Sequence, residues 1–344
     1  MRLAADGSLM PHTYDAVLLL SFGGPERAED VLPFLENVLR GKRVPRERML
    51  EVAEHYYLFD GVSPINAQNR ALLTALIGEL HTQGIQLPVY WGNRNWHPML
   101  TDTVRQMAED GIRRALAFVT SAFGSYSGCR QYLEDIEKAR REVGPAAPEI
   151  AKLRLFHNHP GFIEPMIERV REALARATPM ADCPVRLVFT AHSLPLTMAE
   201  QCGYVEQLES ACRLIAASIG LAEWDLVYQS RSGPPHQPWL TPDICDHLRA
   251  LHAEGNRATV VLVPIGFLSE HMEVIYDLDV EAAGVCEELG IPLVRSSVVG
   301  SHPRFVAMIR ELIEERISDH PRRLALGDLG PSPDVCPADC CRLR

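Results

Sequence analysis

The stretch that decides the fold is Thr259-Val-Val-Leu-Val-Pro-Ile-Gly-Phe267, which is followed closely by His271-Met-Glu-Val-Ile-Tyr-Asp-Leu-Asp-Val-Glu281. The first run is apolar at nearly every position, as expected of a strand in a parallel sheet that is covered on both faces. The second run repeats its apolar side chains with a helical period. A buried strand that leads into a helix is the basic unit of an α/β fold.

The same unit recurs outward from this stretch in both directions. The candidate strands are residues 16–21, 88–92, 114–120, 152–157, 186–192, 225–230, 259–267 and 292–298. The candidate helices are residues 28–39, 66–82, 100–109, 128–141, 161–175, 197–219, 242–252 and 303–316. This alternation predicts mostly parallel sheets with helices on both faces.

The pattern restarts near residue 160, after the loop signal Ala146-Ala147-Pro148. We therefore predict two similar α/β domains, residues 14–160 and 161–321. Glycine and proline become frequent after residue 322, which indicates a linker to a Cys-containing tail, residues 322–344. Ligands of open α/β sheets bind at the carboxyl ends of the strands, so a cleft between the two domains is the expected site.

Composition narrows the class of protein. The 344 residues include 34 Lys and Arg against 45 Asp and Glu, a formal net charge of −11, which argues against a nucleic-acid partner. No apolar run approaches the roughly 20 residues of a membrane span, and the first residues lack the apolar core of a signal peptide. We expect a monomeric cytoplasmic protein, in which the nine cysteines are not structural disulfides.

The helix predicted after residue 271 carries a row of acids. Glu273, Asp277 and Glu281 stand at i, i+4 and i+8, so a regular helix places them on one face, and Glu270 falls on the same face. Like charges at this spacing cost about 0.2–0.5 kcal/mol per pair. The row therefore either holds cations and moves protons or is a solvated helix face, the common fate of a run of charges. Periodicity leaves both interpretations open.

A second group of polar residues is Thr190-Ala191-His192-Ser193-Leu194-Pro195, which ends one strand and opens a loop. His192 and Glu273 each follow a strand of the second half, so we expect both to face one cleft. A neutral imidazole near a carboxylate can bind a borderline metal, accept protons, or do both. A purely structural histidine is the alternative.

Other reaction classes lack their signatures. The sequence has no G-x-S-x-G elbow, no phosphate-binding G-x-x-x-x-G-K-[ST], and no G-x-G-x-x-G after the first strand. It also has no H-E-x-x-H, which excludes a zincin metalloprotease. Nucleophilic hydrolysis and nucleotide binding therefore fit the sequence poorly.

Several longer motifs together resemble the ferrochelatase family. They are Leu20-Ser-Phe-Gly-Gly-Pro25, Gly61-Val-Ser-Pro-Ile-Asn66, Tyr90-Trp-Gly-Asn-Arg-Asn-Trp96, Thr190-Ala-His-Ser-Leu-Pro195, Gln229-Ser230 with Pro238-Trp-Leu240, and Pro264-Ile-Gly-Phe-Leu-Ser-Glu-His-Met-Glu-Val-Ile-Tyr-Asp-Leu-Asp-Val-Glu281. The resemblance extends from about residue 15 to 320. The motifs, including residues 90–96, are similar to those of the actinobacterial branch of the family. The resemblance implies a chelatase-like fold, with two Rossmann-like domains that have parallel four-stranded sheets flanked by helices, and a porphyrin cleft between them.

The resemblance implies a lyase of haem biosynthesis that inserts Fe²⁺ into a porphyrin, with coproporphyrin III as the expected substrate and coproheme as the product. Three alternatives stay open. They are a protoporphyrin IX ferrochelatase, a chelatase for another metal and tetrapyrrole such as cobalt and sirohydrochlorin, and a non-catalytic tetrapyrrole carrier. The expected partners are the porphyrin and ferrous iron.

By the same resemblance, His192 is a metal ligand and proton acceptor, and Glu273 is its partner in metal delivery. Asp277 and Glu281 form the inner end of a hydrated acidic path for Fe²⁺, whose hard oxygen ligands release the ion readily. The neighbouring His271 and Tyr276 are expected to orient the helix.

Substrate contacts are also implied by the resemblance. The candidate donors to the four propionates of coproporphyrin III are Arg40, Arg43, Ser63 and Tyr126. Bidentate arginine suits carboxylates, although each arginine can equally be a solvated cation at a helix end. This chain departs from the family at two positions: many coproporphyrin-type relatives have an iron-contacting Tyr in place of Phe22, and some have a propionate-binding Arg in place of His55.

The tail contains Cys336-x-x-x-Cys340-Cys341. Three thiols plus one distant cysteine complete the Cys₄ set of a [2Fe–2S] cluster, which many ferrochelatases carry. Cys129 matches the place of the internal ligand in the family, and Cys202 is the reserve. A zinc site and a tail with free thiols are the alternatives.

Overall fold

The structure, a computed structural model, describes residues 14–42, 44–177, 184–233, 236–337 and 339–341. The strands are β1 (Ala16–Ser21), β2 (Val89–Asn93), β3 (Arg114–Val119), β4 (Glu149–Lys152), β5 (Val185–His192), β6 (Trp224–Gln229), β7 (Thr259–Val263) and β8 (Leu293–Arg295). The α-helices are α1 (Val31–Val38), α2 (Arg46–Tyr57), α3 (Ile65–Thr82), α4 (Leu100–Glu109), α5 (Gln131–Val143), α6 (Pro160–Ala177), α7 (Leu196–Ala199), α8 (Tyr204–Ile219), α9 (Ile244–Ala253), α10 (Met272–Ile275), α11 (Ala283–Leu289) and α12 (Pro303–Ile317). A 3₁₀ turn (Ala28–Asp30) and two π-helical segments (Tyr126–Arg130 and Asp277–Ala282) complete the described elements.

The strands form two four-stranded sheets in which every neighbouring pair is parallel. The first sheet has the order β2-β1-β3-β4, and the second has the order β6-β5-β7-β8. The four strands of the second sheet are therefore arranged in the same order as the four strands of the first. The predicted α/β class with two parallel four-stranded sheets is confirmed.

The two halves share one hydrophobic core. All residues of β1 and β7 are buried, as continuous apolar strands should be when helices cover both faces. The largest cluster of buried side chains includes Phe118 from the first sheet and Phe189 from the second. Helix α12 packs against both α3 of the first half and α6 of the second. The halves are therefore continuous in packing, and the domain boundary after residue 160, at the start of α6, stays a prediction.

The segment that follows α12 lies along the first half. Arg154 makes two hydrogen bonds to Glu315 at 2.7 and 2.8 Å, and both side chains are almost fully buried. Arg154 also donates to the carbonyl oxygen of Leu324 at 2.9 Å. Asn158 donates to the carbonyl oxygen of Gly330 at 2.8 Å. These buried groups hold the linker in place and direct the described part of the tail back toward the fold.

Helices α1 and α2 have a small core of their own, in which Phe34 and Leu35 pack with Met49 and Ala53. The sequence analysis did not include α2 among its helices. No helix in the described part of the chain is long and apolar enough to cross a bilayer.

Four predicted elements were wrong in extent, and one of them is the strand placed at 292–298, which is β8 and covers only Leu293–Arg295. The strand placed at 152–157 is β4, which covers Glu149–Lys152. Leu153 still donates to the carbonyl oxygen of Ala117 in β3, and the largely buried residues after it belong to no strand. The strand placed at 259–267 ends at Val263 because Pro264 has no N–H for the ladder. The helix placed at 197–219 is interrupted between α7 and α8. After β4 and β7, buried residues continue past the hydrogen-bonded strand, whereas the break between α7 and α8 contains the exposed residues Glu200 and Gln201.

Candidate functional site

The candidate site lies where the strands of the second sheet end. His192 is the last residue of β5 and stands beside Gln229, the last residue of β6. Glu273 lies in α10, which the chain reaches from β7 through the loop at residues 264–271. The Nε2 atom of His192 is 3.5 Å from Oε1 of Glu273. The structure therefore brings these two side chains together at the edge of the sheet where ligands of α/β proteins bind.

The other ring nitrogen of His192 fixes the orientation of the imidazole. Nδ1 lies within hydrogen-bond distance of the backbone carbonyl oxygen of Ser193, and a carbonyl oxygen can only accept. Nδ1 therefore carries a hydrogen and donates it. In the neutral ring, Nε2 then presents its lone pair toward Glu273 and the cleft.

The side chains of His192 and Glu273 each stabilise the charged form of the other. Burial disfavours the charged form of His192, but the carboxylate of Glu273, with help from the Ser193 carbonyl and Asp277, raises the pKa of His192 well above its ordinary value. Burial likewise opposes the charge on Glu273, whereas His192, His271 and Lys42 lower the pKa of Glu273. Without a ligand, the pair is thus an imidazolium beside a carboxylate at neutral pH.

Asp277 is a second group that can exchange protons. Burial is the main cause that raises the pKa of Asp277 to about 7, and the charges of Glu273 and Glu281 act in the same direction. The hydroxyl of Ser230 donates to Oδ2 of Asp277 and opposes this rise. Ser230 has φ of 61°, a left-handed backbone that costs free energy in a residue other than glycine. The loop after β6 is therefore held in a strained form that points this hydroxyl at the acid.

The helix that carries the acids is not regular. Its central part, Asp277–Ala282, is a π-helix, a wider turn that is often found at functional sites. The prediction of a regular stripe at i, i+4 and i+8 was therefore wrong in geometry. Glu270 does not belong to the row at all, because it precedes the helix and pairs with Arg295 at 3.1 Å. The amide of Gln229 joins the remaining acids, as it donates to the carbonyl oxygen of Glu273 and lies 3.4 Å from Asp277 Oδ2.

The first half places a lysine near Glu273 and a paired, almost buried arginine near that lysine. Arg94, directly after β2, is almost buried, forms a 2.5 Å ion pair with Asp135, and lies 5.8 Å from the ring centroid of Phe22. The pKa of Lys42 is lowered by partial burial and by the charge of Arg94, while Glu273 opposes the shift. Lys42 therefore lies close to charges from both halves of the molecule.

Helix α2 lies over the acidic helix. Burial raises the pKa of Tyr56, and the charges of Glu273 and Asp277 raise it further. The preceding residue, His55, stacks on the ring of Tyr276. Together these contacts show that α2 of the first half closes over the acids of the second.

The predicted propionate donors are not drawn together by direct contacts. The Arg40 guanidinium is exposed and donates to Asn37. Ser63 is buried, and its N–H donates to the carbonyl oxygen of Pro25 at 2.8 Å. The Tyr126 hydroxyl donates to Glu134 at 3.0 Å. Arg43 lies outside the described residues, so the role of all four stays a prediction.

The sequence analysis gave no role to four residues of the site: Lys42, which it did not name, and Arg94, Gln229 and Ser230, which it named only within motifs. Arg94 and Gln229 sit at strand ends, so the rule that located His192 also applied to them. Ser230 follows Gln229 directly. Lys42 lies in a basic segment between helices, and no local pattern distinguishes it from a solvated lysine.

The tail thiols meet thiols of the fold. The thiol of Cys336 lies beside that of Cys129, and the thiol of Cys341 lies beside that of Cys202. Cys340 connects the two pairs, with its sulfur 3.3 Å from that of Cys341. Within the described ranges, no three His, Cys, Asp or Glu side chains are arranged to hold a single metal ion. The arrangement is a row of five thiols rather than one convergent site.

Comparison with known proteins identifies the family. The model of the family described as "Ferrochelatase" matches residues 14–317. A protein of Rhodopirellula baltica named "Ferrochelatase" is 56% identical, over 95% of this chain and 93% of the relative. A protein of Streptomyces coelicolor named "Coproporphyrin III ferrochelatase" is 52% identical, over 96% of this chain and 94% of the relative.

Solved structures support the fold. SirB from Bacillus subtilis, determined with Fe³⁺, matches with a TM-score of 0.55 and 12% identity, over 89% of this chain and 97% of SirB. DR2241 from Deinococcus radiodurans, described as similar to chelatases, matches with a TM-score of 0.52 and 15% identity, over 93% of this chain and 57% of DR2241. With nearly its whole described length matched by sequence, the chain belongs to the ferrochelatase family of metal-chelating enzymes.

Proposed function

We propose that the protein inserts Fe²⁺ into coproporphyrin III and releases coproheme, within haem biosynthesis. The observation that carries the proposal is the pair formed by His192 and Glu273 at the strand ends of the second sheet. Relatives about half identical to this chain, such as the one from Streptomyces coelicolor, are named for coproporphyrin III. Lys42, which lies within reach of the charge of Glu273, can pair with a carboxylate of the substrate.

The resting pair explains how iron is received. His192 holds a proton in the ligand-free enzyme, so Fe²⁺ must displace this proton to bind Nε2. Glu273 offers a carboxylate oxygen 3.5 Å from the same nitrogen, which allows the two side chains to hold the ion jointly. A mixed nitrogen and oxygen set binds Fe²⁺ without the tight hold of thiolates, and this favours onward transfer.

The same pair explains where the protons go. Metal insertion releases two protons from the pyrrole nitrogens. Once iron leaves Nε2, His192 is again a strong base beside Glu273 and accepts the first proton, which restores the resting ion pair. Asp277, with a pKa of about 7, accepts the second. The more exposed Glu281 then passes protons to solvent and completes the acidic path.

We also propose that the tail holds a [2Fe–2S] cluster. The type of donor supports the proposal, because a [2Fe–2S] cluster needs two sulfur ligands for each iron and five thiols lie in this row. In the described residues these thiols do not converge on one point, so binding would require them to move together. Without metal, the contact with Cys336 and burial raise the pKa of Cys129, and the charge of Lys152 opposes this rise. Binding of iron would therefore have to displace the proton of this thiol. When bound, such a cluster can transfer one electron, which metal insertion does not need. Its role here would be structural or sensory.

Two experiments test the enzymatic proposal. In anaerobic assays with Fe²⁺, we expect coproporphyrin III to be metallated faster than protoporphyrin IX, as followed by the Soret band. His192→Ala should abolish insertion while porphyrin still binds, and His320→Ala, an exposed histidine of the linker, should keep full activity. Turnover by the His192 variant would overturn the assignment.

The remaining candidates each have a distinct outcome. Faster metallation of protoporphyrin IX would show that this porphyrin, and not coproporphyrin III, is the preferred substrate. Turnover with Co²⁺ and sirohydrochlorin but not with Fe²⁺ and coproporphyrin would make it another chelatase, and tight porphyrin binding without metallation would make it a carrier. The domain boundaries, cytoplasmic location, monomeric state and absence of a nucleic-acid partner stay predictions from the sequence.

A further inference from the structure

Two buried asparagines of the first half are hydrogen-bonded to each other. Asn66 is the second residue of α3, Asn93 is the last residue of β2, and neither side chain is exposed. The side-chain nitrogen of Asn93 donates to the side-chain oxygen of Asn66 at 3.2 Å and to the carbonyl oxygen of His97 at 3.1 Å. The side-chain oxygen of Asn93 accepts from the indole N–H of Trp91 at 3.0 Å. Both ends of the Asn93 amide therefore have partners.

Asn66 also reaches the loop that follows β1. Its side-chain nitrogen lies 3.1 Å from the carbonyl oxygen of Gly24 and 3.2 Å from Oε2 of Glu26. The same nitrogen lies 3.1 Å from the carbonyl oxygen of His97, so three acceptors share its two hydrogens. Arg70 donates twice to Glu26, at 2.6 and 2.8 Å, and keeps this carboxylate in place. One buried side chain thus connects the loop after β1 with the loop after β2.

The loop after β1 packs closely against its neighbours. Gly23 has φ of 82°, a left-handed backbone, and a Cβ atom at this position would lie only 2.8 Å from Cβ of Asn93. A Cβ atom at Gly24 would lie 2.8 Å from Cβ of Ser63. The backbone N–H of Ser63 donates to the carbonyl oxygen of Pro25 at 2.8 Å. The loop, Asn93 and Ser63 therefore form one closely packed unit.

This unit carries two residues that the family resemblance assigns to the porphyrin. Phe22 directly precedes the two glycines, at the position where many relatives have an iron-contacting tyrosine, and Ser63 is a candidate donor to a propionate. The N–H of Asn95 donates to the carbonyl oxygen of Phe22 at 3.1 Å, and the N–H of Arg94 donates to that of Ser21 at 3.0 Å. The place of Phe22 relative to Ser63 therefore depends on how the two loops are held together.

We propose that Asn66 is a positioning residue for porphyrin binding, which acts by holding the loops after β1 and β2 in one arrangement. A buried polar network whose members are paired specifies one arrangement of its surroundings, and an apolar side chain in its place supplies no such direction. Because Asn66 is fully buried, it acts through these loops and not by contact with solvent-borne substrate. This inference rests on the proposed function, since it concerns how the porphyrin is held.

The kinetic test separates binding from chemistry. Asn66→Ala and Asn66→Leu, which fills more of the same space, should each raise KM for coproporphyrin III roughly tenfold and change kcat by less than about twofold, because hydrogen bonds are lost while His192 and Glu273 stay in place. Asn69→Ala should keep the wild-type KM. It is the matched control, because Asn69 is almost equally buried one turn along α3 and its side-chain nitrogen has no hydrogen-bond partner among the described residues.

Circular dichroism and the urea midpoint of unfolding check that each variant is folded. An unchanged KM in both Asn66 variants would overturn the proposal. An equal rise of KM in Asn69→Ala would also overturn it, because KM would then report a general loss of packing in α3.

Hydrogen exchange gives a readout that does not depend on turnover. In ligand-free Asn66→Leu, amide exchange should become faster in residues 22–26 and 93–97 together and should keep its wild-type rate in α4. Faster exchange in only one of the two loops, or equally throughout the first half, would contradict a joint role for Asn66. Failure of the proposed function is a separate outcome, in which wild-type protein does not metallate coproporphyrin III although both loops respond to the substitution.

Discussion

The imidazole ring of His55 stacks on the phenol ring of Tyr276, with centroids 3.7 Å apart and planes inclined by 11°. His55 belongs to α2 of the first half, and Tyr276 precedes the π-helical segment that carries Asp277. Burial and the charge of Arg48 lower the pKa of His55, so the stack is neutral at physiological pH. The contact closes the cleft over the acids, and a flat macrocycle must part the two rings or pass beside them.

We therefore expect His55→Ala to admit porphyrin faster. An aromatic pair contributes about 0.5–1.5 kcal/mol, so its loss should raise the association rate roughly two- to tenfold. Stopped-flow quenching of porphyrin fluorescence measures this rate. Tyr57→Ala, an exposed aromatic on the same helix, is the matched control. An unchanged rate in the His55 variant would show that the stack does not limit entry.

Ser230→Ala should move the acid limb of the kcat profile to higher pH. The Ser230 hydroxyl stabilises the ionised form of Asp277, and its removal raises the pKa of that carboxyl above about 7. Since Asp277 accepts a proton only when ionised, activity should be lost at a higher pH as the solution is acidified. Ser301→Ala, an exposed serine, should leave the profile in place. A downward shift in Ser230→Ala would contradict the proposed proton path.

Glu273→Gln should lower the pKa of His192. The carboxylate is the main group that raises this pKa against the effect of burial, so a neutral amide leaves burial unopposed. The titration of the imidazole, followed by nuclear magnetic resonance in the metal-free protein, should shift to lower pH. Glu270→Gln changes a nearby carboxylate that pairs with Arg295 instead, and it serves as the control. An unmoved titration would mean that the two side chains are not coupled.

Phe22→Tyr should change how the product is held. Phe22 is partly exposed and packs edge-on against Phe34, beside the Arg94 guanidinium. A phenol there can ligate iron, as tyrosine does in some haem proteins. We expect slower product release and an altered visible spectrum of bound coproheme, measured under multiple-turnover conditions. Phe22→Leu should change neither product release nor the spectrum. If Phe22→Tyr also changes neither, residue 22 lies out of reach of the iron.

Glu315→Gln should destabilise the whole molecule. It leaves the buried Arg154 guanidinium without its carboxylate, and breaking a buried pair in this way costs about 3–5 kcal/mol. The urea midpoint of unfolding should fall accordingly. Glu314→Gln, at an adjacent and more exposed position that pairs with Arg310, should cost far less. Similar losses in the two variants would show that burial does not govern the effect.

Much of the framework could be predicted because it rests on local patterns. Strand β1 and helix α4 begin and end at the predicted residues, since an apolar run and a helical period each mark their own limits. His192 was located by the rule that functional groups gather at strand ends. Helix α2 was missed because its only buried hydrophobic residues are Met49 and Ala53, too few to show a period.

Other features depend on contacts that no local pattern contains. A π turn in six residues differs too little from an α turn for periodicity to reveal it, so the sequence placed Asp277 and Glu281 on a regular stripe. Glu270 was assigned to that stripe although Arg295, far along the chain, holds it elsewhere. The meeting of Cys202 with Cys341 likewise depends on the path of the linker, which Arg154 fixes from the other half.

The separate core of α1 and α2 makes this pair of helices easier to detach than either sheet. Both sheets share one large cluster of buried side chains, so swinging one half away from the other would expose the centre of the molecule. Detaching α1 and α2 exposes only the few residues around Phe34 and leaves both sheets intact. Detaching this hairpin therefore costs less free energy than separating the two sheets, and we expect a local fluctuation of α1 and α2 to be the way in which the cleft admits a large substrate.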